Sequence, residues 1–240
     1  MFRRRRHVIV ALAVALTLAA CNHATTTDAS TTRSTRPTTT TSVPGATSTT
    51  QADAFVSSVE AVTAADLPSS WRSGCPVSPD SLRRLRLTFW GFDDRTHTGT
   101  LIVNASVAAS VTQVFARLHA RHFPIRRMEP VDAYGGSDEA SLDADNTAGF
   151  NCRDAVASGP KHWSVHAYGK AIDINPVENP YVDRGVIHPA SGAAFVKRTP
   201  VRPGMAYPGG ELNAAFASIG WGWGGRWSSP DYQHFSATGT

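Results

Sequence analysis

The chain has 240 residues and a formal net charge of +4, from 23 Lys and Arg residues and 19 Asp and Glu residues. Four of its arginines lie in residues 1–20, which contain no acidic residue, so the net charge without that segment is zero. The basic balance therefore belongs to the first residues rather than to a folded surface. It gives no support to binding of nucleic acid, and we expect no such partner.

Residues 1–20 have the layout of an export signal. Arginines open the segment, a short apolar run follows, and the small residues Ala19 and Ala20 precede Cys21. This layout is typical of a secretory signal peptide, and the apolar run is short for a transmembrane helix. The sequence Leu-Ala-Ala-Cys also resembles a bacterial lipobox, whose cysteine is lipidated. We predict a lipoprotein signal peptide and a lipid on Cys21; the alternative is ordinary cleavage near Ala20 with an incidental Cys21.

Residues 21–54 are rich in Thr, Ser and Ala. Such a segment has almost no apolar surface to bury and cannot offset the entropy lost on ordering, so we predict a disordered tether. Residues 55–240 are then predicted to form the folded domain. Together these predictions describe an exported monomer that its lipid anchors to the outer face of the cell membrane.

The first half of that domain contains signals for both strands and helices. Valines at 56, 59 and 62 recur at helical spacing and predict a short helix that ends before Pro68. Residues 84–92 and 98–104 alternate in polarity and predict two strands of a hairpin, joined by a turn at 93–97.

A longer helix is predicted over residues 107–122, with Ser106 as its N-cap. A further strand is predicted over residues 125–130. Because helices and strands mix without a regular βαβ alternation, the sequence indicates an α+β fold.

The cysteines provide one candidate disulfide. If Cys21 carries lipid, Cys75 and Cys152 remain as the only intramolecular pair, and an exported protein is in a compartment where disulfides persist. A bridge between them closes a long loop and would stabilise the fold by about 4 kcal/mol. We favour the bridge; the alternative is two free buried thiols.

Two separated segments carry the side chains of a candidate zinc site. His166 and Asp173 flank Gly169, which permits a tight turn that would bring the two side chains together. Near the C-terminus, His234 would complete a His/Asp/His set and leave a fourth position open for water, as in catalytic zinc sites. Asp231 lies three residues before His234 and is the candidate acid/base.

Other residues near these segments have alternative interpretations. His162 and His188 could also be ligands, although surface positions fit them better. Trp221, Trp223 and Trp227 are interpreted as rings that close the core, and an aromatic platform for a substrate is the alternative.

These two segments resemble the zinc D-alanyl-D-alanine carboxypeptidases and L-alanyl-D-glutamate endopeptidases, which include VanY-like proteins and phage endolysins. The shared pattern is S-x-H-x-x-G-x-A-x-D, followed far downstream by an acid three residues before a second histidine. An aspartate as that acid, with the histidine followed by Phe, is closest to the endopeptidase branch. The fixed positions are filled by Ser164, His166, Gly169, Ala171 and Asp173, and then by Asp231 and His234.

The resemblance implies zinc as the cofactor and peptidoglycan stem peptides as the substrate. It also implies a small antiparallel sheet with flanking helices, the carboxypeptidase and hedgehog-like zinc peptidase fold. Arg153 would hold a substrate oxygen, and Ser164 is a candidate for a hydrogen bond to substrate. Two other functions stay open: a catalytically silent wall-binding lipoprotein that retains the fold, and a zinc amidase or esterase.

Overall fold

The computed structural model describes residues 54–156 and 160–239. The predictions for the signal peptide, Cys21 and nearly all of the tether therefore lie outside the described residues. These residues belong to the compact unit Ser48–Thr240. Among them, no helix has both the length and the apolar character that crossing a membrane requires.

A three-stranded antiparallel sheet forms the first part of the described chain. Its strands are β1 (Ser57–Ala61), β2 (Leu82–Trp90) and β3 (Thr96–Asn104), in that order. The hairpin predicted from the alternating pattern is confirmed, because β2 and β3 pair along their whole length. Leu85 and Leu87 are fully buried, so the predicted apolar face is the one that meets the core.

The helix predicted around the first valines is wrong, because this segment forms strand β1. Val56 and Val59 are 61% and 52% exposed, so their spacing does not mark a buried helical face. β1 pairs antiparallel with β2, with Ser57 opposite Leu87. The backbone hydrogen bonds to β2 decide the conformation here, and that pairing is invisible in the local pattern.

The long predicted helix is confirmed as α1 (Ala108–Ala120), after one 3-10 turn at Ala105–Val107. That 3-10 turn is capped by the Asn104 side chain, which accepts a hydrogen bond from the Ser106 backbone. Ser106 is therefore not the cap. Five apolar side chains of α1 are buried in the core with the sheet: Ala108, Val111, Val114, Phe115 and Leu118.

The strand predicted at residues 125–130 is wrong. This stretch contributes one isolated bridge, Met128 to Thr147, and Pro124 just before it bridges to Trp90. Proline lacks the N–H that a ladder requires, and prolines at 124 and 130 bound the segment.

The second half of the described chain contains short elements. The helices are α2 (Asp138–Asp143) and α3 (Glu211–Ala217). The strands are β4 (Ala171–Asp173), β5 (Tyr181–Asp183), β6 (Val186–His188), β7 (Gly222–Trp223) and β8 (His234–Ser236). β4, β8 and β7 form a second antiparallel sheet in that order, and β5 pairs with β6. Small antiparallel sheets with a few helices confirm the α+β class.

One hydrophobic core joins both three-stranded sheets. It contains Leu101 from β3, Phe115 from α1, Ile172 from β4 and Phe235 from β8, all buried. We call the first sheet and α1 together, residues 57–120, the N-terminal platform. The strands β4 and β8, which carry candidate site residues, pack on this platform through the shared core. A second apolar cluster includes Cys152, which forms the predicted disulfide with Cys75.

Candidate metal centre

His166 lies on a 3-10 turn (Val165–Tyr168) that precedes β4. The Ser164 side chain caps this turn by accepting a hydrogen bond from the His166 backbone at 3.3 Å. Gly169 ends the turn with φ of 64°, the left-handed conformation that glycine adopts without strain. The predicted reversal at this glycine therefore brings the chain into β4 and carries Asp173 back beside His166.

Asp173 and His234 lie directly opposite each other in the β4–β8 pair. The Asp173 carboxylate is 3.2 Å from His166 Nε2 through one oxygen and 3.2 Å from His234 Nδ1 through the other. The two histidine nitrogens are 3.1 Å apart. All three side chains are buried, so the structure brings together the three predicted ligands.

The donor set fits a zinc ion. Zn–N and Zn–O bonds of about 2.0–2.1 Å in a tetrahedron place neighbouring donor atoms about 3.3 Å apart, close to the distances observed here. His166 Nδ1 lies 2.7 Å from the Gly149 carbonyl and donates to it, which directs Nε2 at the other two donors. The ligand atoms of all three residues lie within 4.8 Å of one another.

The charges of these side chains also favour a bound cation. Burial opposes ionisation of Asp173, yet His166 and His234 hold its pKa well below the usual range. Burial opposes protonation of His166, yet the Asp173 carboxylate raises the pKa of that histidine. Both shifts have the direction that favours a positive charge between these donors, and a metal ion would supply that charge.

Asp231 lies beside the three ligands without being one of them. Its backbone is held by a hydrogen bond to the Gly224 carbonyl at 3.1 Å and by a bridge to Tyr181. Its carboxyl Oδ1 is buried and has no hydrogen-bond partner among the described residues. Burial, followed by the negative charge of Asp173, raises the pKa of Asp231 to about 7. This carboxyl can therefore exchange a proton near neutral pH.

Arg153 lies near the same group. Its charge lowers the pKa of both His166 and Asp231, although neither effect is the largest on those groups. Its guanidinium is 24% exposed, and Nε lies 2.9 Å from an Asp138 oxygen. The structure therefore places Arg153, the candidate for holding substrate, near the centre, while its observed contacts are to Asp138 and Asp154. Ser164, in contrast, has the observed role of a turn cap.

The alternative ligands do not join this group. His162 is exposed and contacts the Pro160 carbonyl, and His188 is exposed and stacks on Tyr181. Neither is part of a candidate metal cluster among the residues that the structure describes.

The three tryptophans separate into two classes. Trp221 and Trp223 are buried in the core, as interpreted from the sequence. Trp227 is partly exposed, with its ring centre 5.3 Å from that of His234. One indole therefore borders the metal centre rather than closing the core.

Sequence reasoning did not identify two residues that contact the site residues. The Gly149 carbonyl orients His166, and Asp138 contacts Arg153. Both lie before the motif that starts at Ser164, in the polar segment of residues 135–149. A backbone carbonyl leaves no mark in the residue type, and a single Asp on a short helix has no distinguishing pattern.

Residues 158–237 match the model of a protein family described as D-alanyl-D-alanine carboxypeptidase. The match agrees with the family that the two motifs resemble and with the α+β fold. It supports a hydrolase that cleaves peptides of the cell wall, and peptidases of this family are zinc-dependent in general. The matched segment begins after Arg153. No curated protein and no solved structure matches significantly.

Proposed function

We propose that the chain is a zinc-dependent peptidase that hydrolyses peptide bonds in peptidoglycan stem peptides. The observation that supports this most directly is the convergence of His166, Asp173 and His234 at 3.1–3.2 Å beside the buried carboxyl of Asp231, whose pKa is raised to about 7. A scaffold that only binds the wall has no use for such a carboxyl. The silent lipoprotein is therefore the less favoured function.

Bound zinc would polarise the scissile carbonyl and lower the pKa of water, which is the chemistry that a catalytic site of this donor type supplies. Asp231 takes the proton from the attacking water as the new C–O bond forms. It then gives that proton to the amine nitrogen as the C–N bond breaks. The pKa of about 7 suits both steps, because the group neither holds nor releases its proton completely near neutral pH.

Arg153 would hold an oxygen of the substrate. Its guanidinium is partly exposed and near both His166 and Asp231, so it can donate hydrogen bonds into the same space. We assign Ser164 chiefly to the turn that carries His166, because its oxygen already accepts from that backbone.

Two bonds of the stem peptide are candidates for cleavage. The matched family is described by carboxypeptidase activity on D-alanyl-D-alanine, whereas aspartate at position 231 resembles the L-alanyl-D-glutamate endopeptidase branch. We favour the endopeptidase reaction on this residue. Defined stem peptides, cleaved and identified by mass spectrometry, distinguish the two because the products differ in mass.

The direct test compares Asp231→Asn with the wild-type protein after loading with zinc. We expect the turnover number to fall by roughly 100- to 10,000-fold, because the variant cannot transfer the proton. Its zinc content, measured by mass spectrometry of the metal, should stay equal to that of the wild type, since Asp231 is not a ligand. Asp143→Asn, an exposed change at the end of α2, is the matched control and should keep full activity.

His166→Ala is the complementary variant, because it should lose zinc and activity together. Full activity in Asp231→Asn would reject the role of that carboxyl. Absence of any product from zinc-loaded wild type, with wall binding unaffected by His166→Ala, would instead favour the silent lipoprotein. Products from ester or amide substrates alone would indicate the zinc amidase or esterase.

We also propose that the protein acts outside the cell, anchored by a lipid on Cys21 and separated from the membrane by the tether at residues 21–54. The disulfide between Cys75 and Cys152 supports an oxidising compartment. The wall peptides that the site would cleave lie in that same compartment.

A further inference from the structure

The Arg153 guanidinium is held by groups that the catalytic scheme does not use. Nη1 donates to the Asp154 carbonyl at 3.2 Å, and Nε lies 2.9 Å from Asp138 Oδ1. The Nε–H is buried and does not point squarely at an acceptor, so the contact with Asp138 is chiefly an ion pair. These two contacts use Nη1 and Nε, so Nη2 is the nitrogen that remains to donate a hydrogen bond to a substrate.

Asp138 is connected to the candidate ligand His166 through the residue Asn151. It is the first residue of α2, whose first turn the Ser137 side chain caps. The buried Asn151 side chain lies 3.4 Å from the same Asp138 oxygen, and the Asn151 backbone donates to the carbonyl of His166 at 3.2 Å. One short path of hydrogen bonds therefore links the position of Asp138 to that of a zinc ligand.

We propose that Asp138 is the positioning residue that holds the Arg153 guanidinium at the reaction centre. This inference rests on the proposed function, in which Arg153 binds a substrate oxygen. Asp138 acts through Arg153 and does not itself contact the reacting atoms. Without the carboxylate, the long arginine side chain would populate other rotamers, and the substrate would have to select the productive one.

The ion pair is suited to positioning rather than to stability. The side chains of Asp138 and Arg153 are 30% and 24% exposed, and pairs that reach water contribute little to folding. Asp138→Asn keeps the size of the side chain and removes only the charge. The variant should therefore fold, and its defect should appear in catalysis.

The test measures kcat and KM on a defined stem peptide for zinc-loaded Asp138→Asn. We expect kcat/KM to fall roughly 10- to 100-fold, the range for a misplaced catalytic group, with zinc content and melting temperature unchanged. Glu139→Gln is the matched control, because it removes a neighbouring exposed carboxylate from the same helix turn and should stay within about twofold of wild type.

A double-mutant cycle with Arg153→Ala identifies the route of the effect. If Asp138 acts through Arg153, Asp138→Asn should cause no further loss in the Arg153→Ala background. Equal losses in both backgrounds, or wild-type kcat/KM in Asp138→Asn, would overturn the proposal. Asp138→Glu, which restores the charge, should recover part of the loss.

A readout without turnover separates this inference from the proposed function. In the zinc-loaded protein, 15N relaxation of the Arg153 Nε–H group should report an ordered side chain, and in Asp138→Asn a mobile one. If the wild type cleaves no stem peptide, the peptidase proposal fails while this measurement still decides the positioning role. An equally mobile group in both proteins would reject it.

Discussion

Glu178 is a buried carboxyl whose surroundings oppose its charge. Its Oε1 lies 3.4 Å from Arg126, but its Oε2 is buried without a hydrogen-bond partner among the described residues. Asp145 lies near enough to compete for the same arginine, at 3.4 Å from Nε. Burial, followed by the negative charge of Asp145, raises the pKa of Glu178 to about 8. Two carboxyls and one arginine thus favour a protonated Glu178.

This carboxyl predicts a pH-dependent stability. The folded state keeps the proton up to about pH 8, whereas the unfolded chain releases it near its ordinary pKa of 4.5. The stabilising contribution of Glu178 is therefore complete below pH 4.5 and is lost as the pH rises through 8. Glu178→Gln has no such proton to lose, so the difference in unfolding free energy in its favour should grow by several kcal/mol between pH 4.5 and pH 8.5, at about 1.4 kcal/mol per unit of pKa shift.

Denaturant unfolding of both proteins at pH 5, 7 and 8.5 measures this effect. The two proteins share every other titrating group, including the metal ligands, so their difference isolates Glu178. The gap in unfolding free energy should widen in favour of Glu178→Gln as the pH rises. A gap that stays constant from pH 5 to pH 8.5 would show that Glu178 titrates in the folded protein as in the unfolded chain.

At the scale of secondary structure, the turn at Gly169 determines how His166 and Asp173 meet. Its φ is 64°, and its carbonyl accepts a hydrogen bond from the Asn104 backbone at 2.8 Å. A Cβ on Gly169 would lie 2.6 Å from the Asn104 nitrogen, closer than backbone allows. The end of β3 therefore leaves no space for a side chain at this turn.

Gly169→Ala should destabilise the fold by about 3 kcal/mol or more, because left-handed strain adds to the collision with β3. Gly135→Ala is the matched control. Gly135 also ends a 3-10 turn with φ of 64°, but its Cβ would meet nothing within 4 Å. That variant should lose only about 1 kcal/mol, the cost of the backbone conformation.

Denaturant unfolding of the two variants gives both free energies, and competition with a chromogenic chelator gives their zinc affinities. Gly169→Ala should also bind zinc more weakly, since β4 begins two residues after the turn. Equal destabilisation by the two substitutions would mean that β3 moves aside freely, contrary to the close packing observed.

How well the elements could be predicted depends on where their determining contacts lie. The hairpin β2–β3 and the turn at Gly169 follow from local residue types, and the structure contains both. The spacing of Val56 and Val59 predicts a helix where β1 forms, because the partner strand β2 lies more than twenty residues away in sequence. Local patterns cannot report such pairing.

The same distinction applies to the candidate site. His166, Asp173, Asp231 and His234 could be chosen from sequence because their residue types and spacing indicate zinc chemistry. The contact between Asp138 and Arg153 could not, since it joins two separated segments and only the folded chain defines it. Candidate metal ligands can be identified in the sequence by their residue type and spacing. A residue that positions another side chain can be identified only from its contacts in the folded structure.

Considered as a whole molecule, the site depends on more of the chain than the segment that matches the family. Residues 158–237 contain the three candidate ligands and Asp231. The carbonyl that orients His166 and the arginine near the centre come from before that segment, at Gly149 and Arg153. The N-terminal platform and the strands that carry the candidate ligands also share one hydrophobic core.

The disulfide connects the loop between β1 and β2 to the segment that precedes the site. It joins Cys75 to Cys152 across a sequence separation of 77, and Cys152 immediately precedes Arg153. The Cys152 backbone also donates to the Ser70 carbonyl at 2.9 Å, and its carbonyl accepts from Arg72. Three contacts thus fix the backbone from which the arginine extends.

The attachment of the whole molecule to the cell depends on whether Cys21 carries a lipid. If Cys21 is lipidated, the wild-type protein made in a bacterial host should partition into the detergent phase, because each buried acyl CH₂ contributes about 0.8 kcal/mol to membrane binding. Cys21→Ala should lose this partitioning, whereas Asn22→Ala, the neighbouring control, should keep it. Mass spectrometry of the mature N-terminus should identify the acyl chains on Cys21.

Ordinary cleavage near Ala20 makes a different set of predictions: an aqueous wild-type protein, no added mass at the N-terminus, and no effect of Cys21→Ala. Whether Cys21 is lipidated also decides which wall peptides the domain can reach. A lipid holds the domain within the reach of its tether, so only wall peptides near the membrane would be cleaved, whereas a released domain could reach the whole wall. Comparing the cleavage of intact cell walls by the anchored and Cys21→Ala forms, at equal activity on free stem peptides, measures that restriction.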